Sequence, residues 1–262
     1  NVRTSKLLDN RDGTLSADTL RISAHDIANQ RGKLIQSGSG TLAVALPGSI
    51  DNQQGQIGAA SGVNLKASSL NNTAGQIVAA AGKNRLEAGE LNNQQGLISA
   101  TTGDGEIVSQ QAINNRQGRI EAAKTQRIEA TWINNQRGVM VADDASLALN
   151  GGTLDNQAGS LLALGSLTLS SGALNNQGGF LASDGDFTLT SGNITNTEGQ
   201  IGANQRLNAT FTTLSNAGGS VKSAGDMSLN GGLLDNSSGT TLSGASLTFT
   251  GDALDNRNGR RL

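Results

Sequence analysis

The chain has 262 residues, with 36 glycines, one proline, no cysteine, no tyrosine, one tryptophan, four phenylalanines and a formal net charge of −2. These figures exclude a disulfide or thiolate–metal framework and a polybasic nucleic-acid or membrane footprint. No apolar run reaches the ~18 residues of a bilayer-crossing helix, so membrane insertion is not expected.

Small polar residues and few aromatics would suit a disordered chain, but leucine and isoleucine recur at fixed spacing throughout, which implies a thin, regular core. Taken from the N-terminus, repeats start at Leu8, Ile27, Ile50, Leu70, Leu91, Ile113, Ile133, Leu154, Leu174, Ile194, Leu214, Leu234 and Leu254, spaced 19 to 23 residues apart and 20 apart from Leu154 onward. Two columns never vary. Two residues after each start stands an asparagine: Asn10, Asn29, Asn52, Asn72, Asn93, Asn115, Asn135, Asn156, Asn176, Asn196, Asn216, Asn236 and Asn256. Three residues further on stands a glycine: Gly13, Gly32, Gly55, Gly75, Gly96, Gly118, Gly138, Gly159, Gly179, Gly199, Gly219, Gly239 and Gly259.

An aliphatic column follows each glycine, from Leu15, Leu34 and Ile57 through Ile201 and Val221, with the last two repeats read as slipping by one residue to Leu242 and Leu262. Two residues beyond lies a small column of Ala or Ser, in which Gln36 is the exception. Aliphatic, variable, small is the in–out–in pattern of a strand. A second strand precedes the next start, as in Leu65-Lys66-Ala67, Leu167-Thr168-Leu169 and Leu247-Thr248-Phe249. The start segment adds a third short strand or corner. The 23-residue repeat at 27–49 holds Pro47, read as a small bulging turn where no ladder N–H is needed.

Three short strands and three turns per repeat describe one rung of a parallel β-helix, which cannot bury its inward face alone and must stack. The expected fold is all-β: a right-handed parallel β-helix (β-solenoid) of about 12 coils, right-handed because nearly all parallel crossovers are. At a rise of ~4.8 Å per rung the rod would be roughly 60 Å long. Residues 1–262 read as a single segment, and both termini fall inside the repeat, so the chain reads as a slice of a longer filament with open ends.

Alternation points the asparagine inward at a corner, where a buried amide needs partners and stacked amides can bond along the ladder. The rival reading is an asparagine capping a turn in the left-handed region, side chain outward. The invariant glycine supplies either a positive φ or room for close backbone approach. The column after the asparagine (Gln30, Gln53, Gln94, Gln136, Gln157, Gln177, with Arg11, Arg116 and Arg257) reads as a solvated polar ladder.

The pattern L-[DN]-N-x-x-G-x-[LI]-x-A closely resembles the haemagglutinin repeat of filamentous haemagglutinins, which belong to the two-partner secretion exoproteins of Gram-negative bacteria, and of contact-dependent growth-inhibition exoproteins that use it as a stalk. The resemblance covers residues 8 to 262. It implies a β-helix filament that is secreted to the cell surface, through an outer-membrane transporter as partner. The function expected is then a structural stalk that projects an adhesin or toxin, or, alternatively, a filament side that itself binds a glycan or protein receptor. The lack of cysteine suits a chain exported unfolded through an oxidising compartment.

Candidate chemistry is sparse. His25 stands alone in a turn. Asp143-Asp144 and Asp184-Gly185-Asp186 are the best carboxylate pairs, and both read as solvated turn acids, since a calcium site needs several converging oxygens. Repeats so uniform in length leave little chain for a catalytic groove. No catalytic residue, metal or cofactor is therefore expected. Outward Thr188/Thr190, Thr248/Thr250 and Thr168/Ser170 resemble the flat faces of ice-binding solenoids, though Ser228/Asn230 break the array and strand propensity explains the threonines equally well. Trp132 points outward and is a candidate contact residue. Open sheet edges lead us to expect end-to-end self-association of the isolated chain.

Overall fold

A computed structural model describes residues 1–261, and among them every regular element is a β-strand. The chain forms two units, Asn1–Ala130 and Thr131–Leu262. Each is a parallel β-solenoid in which strands pair with their counterparts in the neighbouring repeats.

In the N-terminal unit, four-residue strands stack in chain order from Thr14–Ala17 and Lys33–Gln36 through Gln56–Ala59, Gln76–Ala79 and Leu97–Ala100 to Arg119–Ala122. The register superimposes like residues: Ile57, Ile77, Ile98 and Ile120 form one column, and Ala59, Ala79, Ala100 and Ala122 the next. In the C-terminal unit an equivalent set of four-residue strands stacks from Val139–Ala142 through Ser160–Ala163, Phe180–Ser183 and Gln200–Ala203 to Ser220–Ser223 and Thr240–Ser243. These columns are buried because apolar side chains at every second position stack on their equivalents, which removes both from water.

The other sheet differs from the expected three short strands. Where the corner is tight, the second and third strands merge into one bent strand, as in Val63–Asn71 or Leu167–Asn175. Alternation holds over Val63, Leu65 and Ala67, then skips to Leu70, so Ser68 and Ser69 make the corner. The strands separate where an extra residue enters. Leu42–Ala45 and Ser49–Asp51 are distinct, and three residues, Leu46 to Gly48, stand opposite two, Ala67 and Ser68. Pro47 occupies this bulge and lies exposed, at a point where Leu46 N–H and Ser68 N–H carry the inter-rung bonds on either side. The remaining extra length of this repeat lies in the 37–41 loop. Gln36 replaces alanine in the small column because its buried amide ties that loop down, accepting from Leu20 N–H at 3.0 Å and donating to Gly40 C=O at 2.8 Å.

The expected slip of the aliphatic column to Leu242 is corrected by the register. Val221 pairs with Thr241, and Lys222 with Leu242. Thr241 is the buried residue and Leu242 is half-exposed. The phase is set by distance from the invariant glycine, and the inward threonine satisfies its hydroxyl by donating to Asn236 Oδ1 at 3.0 Å. Leu262, the other residue of that reading, lies outside the described residues.

Candidate functional site: the asparagine ladder and its turns

The invariant segment builds one turn, repeated. Each asparagine carbonyl accepts from the glycine N–H three residues on, as in Gly32 N–H to Asn29 C=O at 2.9 Å and Gly199 N–H to Asn196 C=O at 3.0 Å. The residue just before the glycine has a positive φ of 52° to 65° in all thirteen turns, among them Asp12, Gln54, Ala74, Arg137, Glu198 and Ser238. Only Gly178 and Gly218 are glycines there. A negative φ followed by a positive one is the pattern of a type II turn, which ordinarily wants Gly or Asn at that second place. The strain is retained because it aims the peptide along the stack: Gln54 N–H donates to Thr73 C=O at 2.9 Å and Ala158 N–H to Gln177 C=O at 3.0 Å, both in the following rung. The ladder therefore continues around the corner.

The invariant glycines do not carry the positive φ, which corrects one of the two readings of that column. Their reason is close approach. A Cβ at any of the eleven from Gly32 to Gly259 that face a preceding turn would lie 2.0 to 2.3 Å from the carbonyl oxygen of the previous rung's asparagine. It would also stand 2.5 to 2.8 Å from the Oδ1 of its own asparagine. Backbone cannot yield as a flexible side chain can, so only glycine fits.

The asparagine side chains point inward, and those from Asn10 to Asn236 are buried, while Asn256 is half-buried. In the N-terminal unit Asn10 Nδ2 donates to Asn29 Oδ1, Asn29 to Asn52, Asn52 to Asn72, Asn72 to Asn93 and Asn93 to Asn115, each at 2.7 Å. In the C-terminal unit the same bond runs from Asn135 through Asn156, Asn176, Asn196, Asn216 and Asn236 to Asn256, at 2.7 to 2.8 Å. The second amide hydrogen is shared by two carbonyls, as in Asn176 Nδ2 to Gly179 C=O at 3.3 Å and to Gln200 C=O at 3.0 Å. A buried amide is costly unless bonded, and a chain of aligned amides polarises along its length.

Sequence reasoning missed the role of the residue before each asparagine. Where it is Asp or Asn, its Oδ1 accepts the N–H of the residue just after the ladder asparagine at 2.9 to 3.2 Å, in ten turns including Asp9, Asn71, Asp155 and Asp235. The recurring [DN] was the available signal, and the bond is an Asx turn. Arg11 also pairs with Asp9, and its side-chain hydrogen bond, helped by its backbone N–H, holds that carboxyl down at about 2. Gln136, from the outward glutamine column, donates to Asp155 at 2.7 Å.

The turn acids have a related task that was also missed. Asp26, Asp104, Asp144, Asp186 and Asp226 each accept a backbone N–H from the next rung, from Ser49, Thr125, Ser166, Arg206 and Ser246 at 2.6 to 3.2 Å. Ser49 N–H, then His25 and the Ser49 hydroxyl, hold Asp26 down at about 2. Lone His25 is thus a partner of Asp26, with Nδ1 to Oδ2 at 2.8 Å. Asp184 is held by Asn204 Nδ2 at 2.9 Å. Among the described residues no group of three or more His, Cys, Asp or Glu is placed to hold a metal ion.

The outward faces of the two units differ. In the N-terminal unit the columns beside the core strand are charged and mutually paired, with Lys66 on Glu87, Lys83 on Glu106 and Arg127 on Glu129. In the C-terminal unit the equivalent columns are neutral: Thr168, Thr188, Asn208, Ser228 and Thr248, then Ser170, Thr190, Thr210, Asn230 and Thr250. Trp132 is 40% exposed. Among the described residues no helix is long and apolar enough to cross a membrane.

A family model described as the haemagglutinin repeat matches residues 1–46, 171–212 and 200–261, together more than half of the chain. No curated protein and no solved structure matches.

Proposed function

The chain belongs to the haemagglutinin repeat family, and from that premise we propose that it is a stalk segment of a large secreted cell-surface exoprotein, projecting an adhesive or toxic element toward a target cell. The observation that carries this reading is the like-on-like register with a continuous asparagine ladder within each unit. Such an arrangement makes distance rather than chemistry, and we read the role as non-catalytic. Export through an outer-membrane transporter of the two-partner type belongs to the same proposal, as the family's general association with that pathway suggests.

A second reading, that the filament side binds a glycan or protein, is favoured by the neutral Ser/Thr/Asn columns of the C-terminal unit and by exposed Trp132. One experiment separates them. In the parent exoprotein, residues 8–253 are replaced by an equal length of unrelated haemagglutinin-type repeats, and attachment or target-cell inhibition is scored. Activity that survives supports the stalk. Activity lost while surface display persists supports the binding face and refutes a purely spacing role.

A further inference from the structure

The geometry points to an interaction surface for a second copy of this chain. The face of the four-residue strands in the C-terminal unit pairs with the same face of another copy. The two copies run antiparallel about a two-fold axis that lies between the rungs starting at Leu154 and Leu174. The inference stands on the surface of one unit and is independent of the stalk reading.

One outward column carries it first. Val141, Leu162, Ala182 and Gly202 follow one another in register in successive strands, each half-exposed. Glycine inside a strand weakens it and ordinarily marks a bulge or a close approach of another backbone. Nothing within the solenoid asks for glycine at 202. Its φ is not left-handed, and beyond its chain neighbours a Cβ there would meet no atom nearer than 3.9 Å. The missing side chain is therefore a recess that opens to solvent. In the adjacent column of Ser160, Phe180 and Gln200, Phe180 lies 37% exposed. None of these outward residues is charged, and Lys222 of the next rung ends the uncharged stretch.

The order of sizes selects the partner. Rung by rung the column reads valine, leucine, alanine, glycine, so a copy turned end for end reads glycine, alanine, leucine, valine. About that axis Val141 of each copy enters the Gly202 recess of the other, Leu162 covers Ala182 and Phe180 lies over Ser160. Large faces small at each place, which is how facing layers interdigitate. Charge follows the same symmetry. Arg137 and Glu198 occupy the equivalent corner of the first and last of these rungs. Both are exposed, and among the described residues neither is in an ion pair. Turning one copy end for end sets Arg137 of each against Glu198 of the other, with the small Ala158 and Gly178 at the corners between. A contact made twice by one operation is the isologous kind that closes as a dimer. At the opposite rim Leu164, 62% exposed, faces Asp184, whose carboxyl accepts from Asn204 Nδ2 at 2.9 Å and stays at solvent.

The surface is small. Four strands spaced at ~4.8 Å, each of four residues at ~3.4 Å, present about 270 Å² per copy. A standard interface takes ~800 Å² from each partner. Free chains therefore pair weakly, and pairing is favoured where copies are held side by side, which raises their effective concentration.

The chain has no cysteine, so thiol crosslinking reads the register without background. Full-length Val141→Cys and Gly202→Cys chains are mixed at ~0.5 mM, a concentration suited to so small an interface. The reagent is a bis-maleimide that spans the ~10 Å between packed sheets. Positions 141 and 202 face each other across the pair, whereas two 141 sites or two 202 sites are offset by three rungs, ~14 Å. The expected product is the mixed dimer, roughly tenfold above either like-with-like dimer because of that offset. Arg137→Glu added to both chains should cut the yield several-fold, and Glu198→Arg added to those should restore it. Mixed and like-with-like products in equal yield, or a mixed product indifferent to both charge changes, would overturn the inference. So would the absence of any product, which leaves the face for a partner of different sequence. End-to-end association of copies does not set 141 against 202 and yields no crosslink.

Discussion

Gly178 and Gly179 are neighbours in one turn, and replacing each with alanine separates the two physical roles a glycine can have. Gly178 carries φ +58°, and a Cβ there meets nothing within 4 Å. The equivalent residues in other turns are already Ala74 and Ala158, at φ 52°. Gly178→Ala should therefore cost only the left-handed penalty of about 1 kcal/mol, reduced by the lower entropy of the unfolded chain. Gly179→Ala is different in kind. Its Cβ would lie 2.3 Å from Asn156 C=O and 2.5 Å from Asn176 Oδ1. Relief requires moving the turn and with it the Asn156 Nδ2 to Asn176 Oδ1 bond, now 2.8 Å, and the Phe180 N–H to Gly159 C=O bond, now 2.9 Å. Leaving two buried pairs poorly made costs about 1–3 kcal/mol each, so a local loss of roughly 3–5 kcal/mol follows once part of the strain relaxes. Native-state hydrogen exchange of the amides around residues 156–180 reads this directly, since it resolves local opening that a global melt averages. Protection lost equally in both variants, or more in Gly178→Ala, would refute the close-approach account.

Three further outcomes are expected. Asn156→Leu deprives Asn176 Oδ1 of its donor and should cost on the order of 1–3 kcal/mol locally; unchanged amide protection in the neighbouring rungs would count against the ladder as a source of stability. Asn84 is buried in a column with Val63, its Oδ1 has no partner, and Nδ2 reaches Ser99 C=O at 3.1 Å; Asn84→Val should stabilise the N-terminal unit by about 1 kcal/mol, and a lower unfolding midpoint would contradict this. The Asp26 carboxyl is held at about 2 in the folded chain against an ordinary 3.8, so its contribution is present above the unfolded value and fades as pH falls from about 4 toward about 2. A carboxyl NMR titration that puts Asp26 at its ordinary value would remove the Ser49 and His25 contacts from the account.

Much of this fold is legible in the sequence because stacking forces like onto like. A column that must accept its own kind above and below admits few residue types, so the start position is always Leu or Ile and the asparagine and glycine positions repeat without exception. The invariant glycine was legible as a necessity but ambiguous in cause, because a positive φ and a close approach demand the same residue. The position that does carry the positive φ left no trace, since Gln, Arg, Ala, Glu, Ser and Asp occupy it. There the inter-rung bond compensates the strain, and the residue type records nothing of it.

The same logic explains the misplaced column at Leu242. Reading hydrophobicity alone, the leucine draws the inward position toward itself. Register is set instead by the turn that precedes it, where Asn236, the positive φ at Ser238 and the close-packed Gly239 leave one phase available. Thr241 then falls inward whatever its polarity, and it is tolerated because Asn236 Oδ1 lies 3.0 Å from its hydroxyl. Leu242→Ser should accordingly change stability by less than about 1 kcal/mol, whereas the same change at Leu161, fully buried in the column that ends at Thr241, should cost several kcal/mol for the lost burial and the buried hydroxyl. Equal losses from the two in thermal unfolding would mean that hydrophobicity, and not the asparagine–glycine turn, sets the phase of each rung.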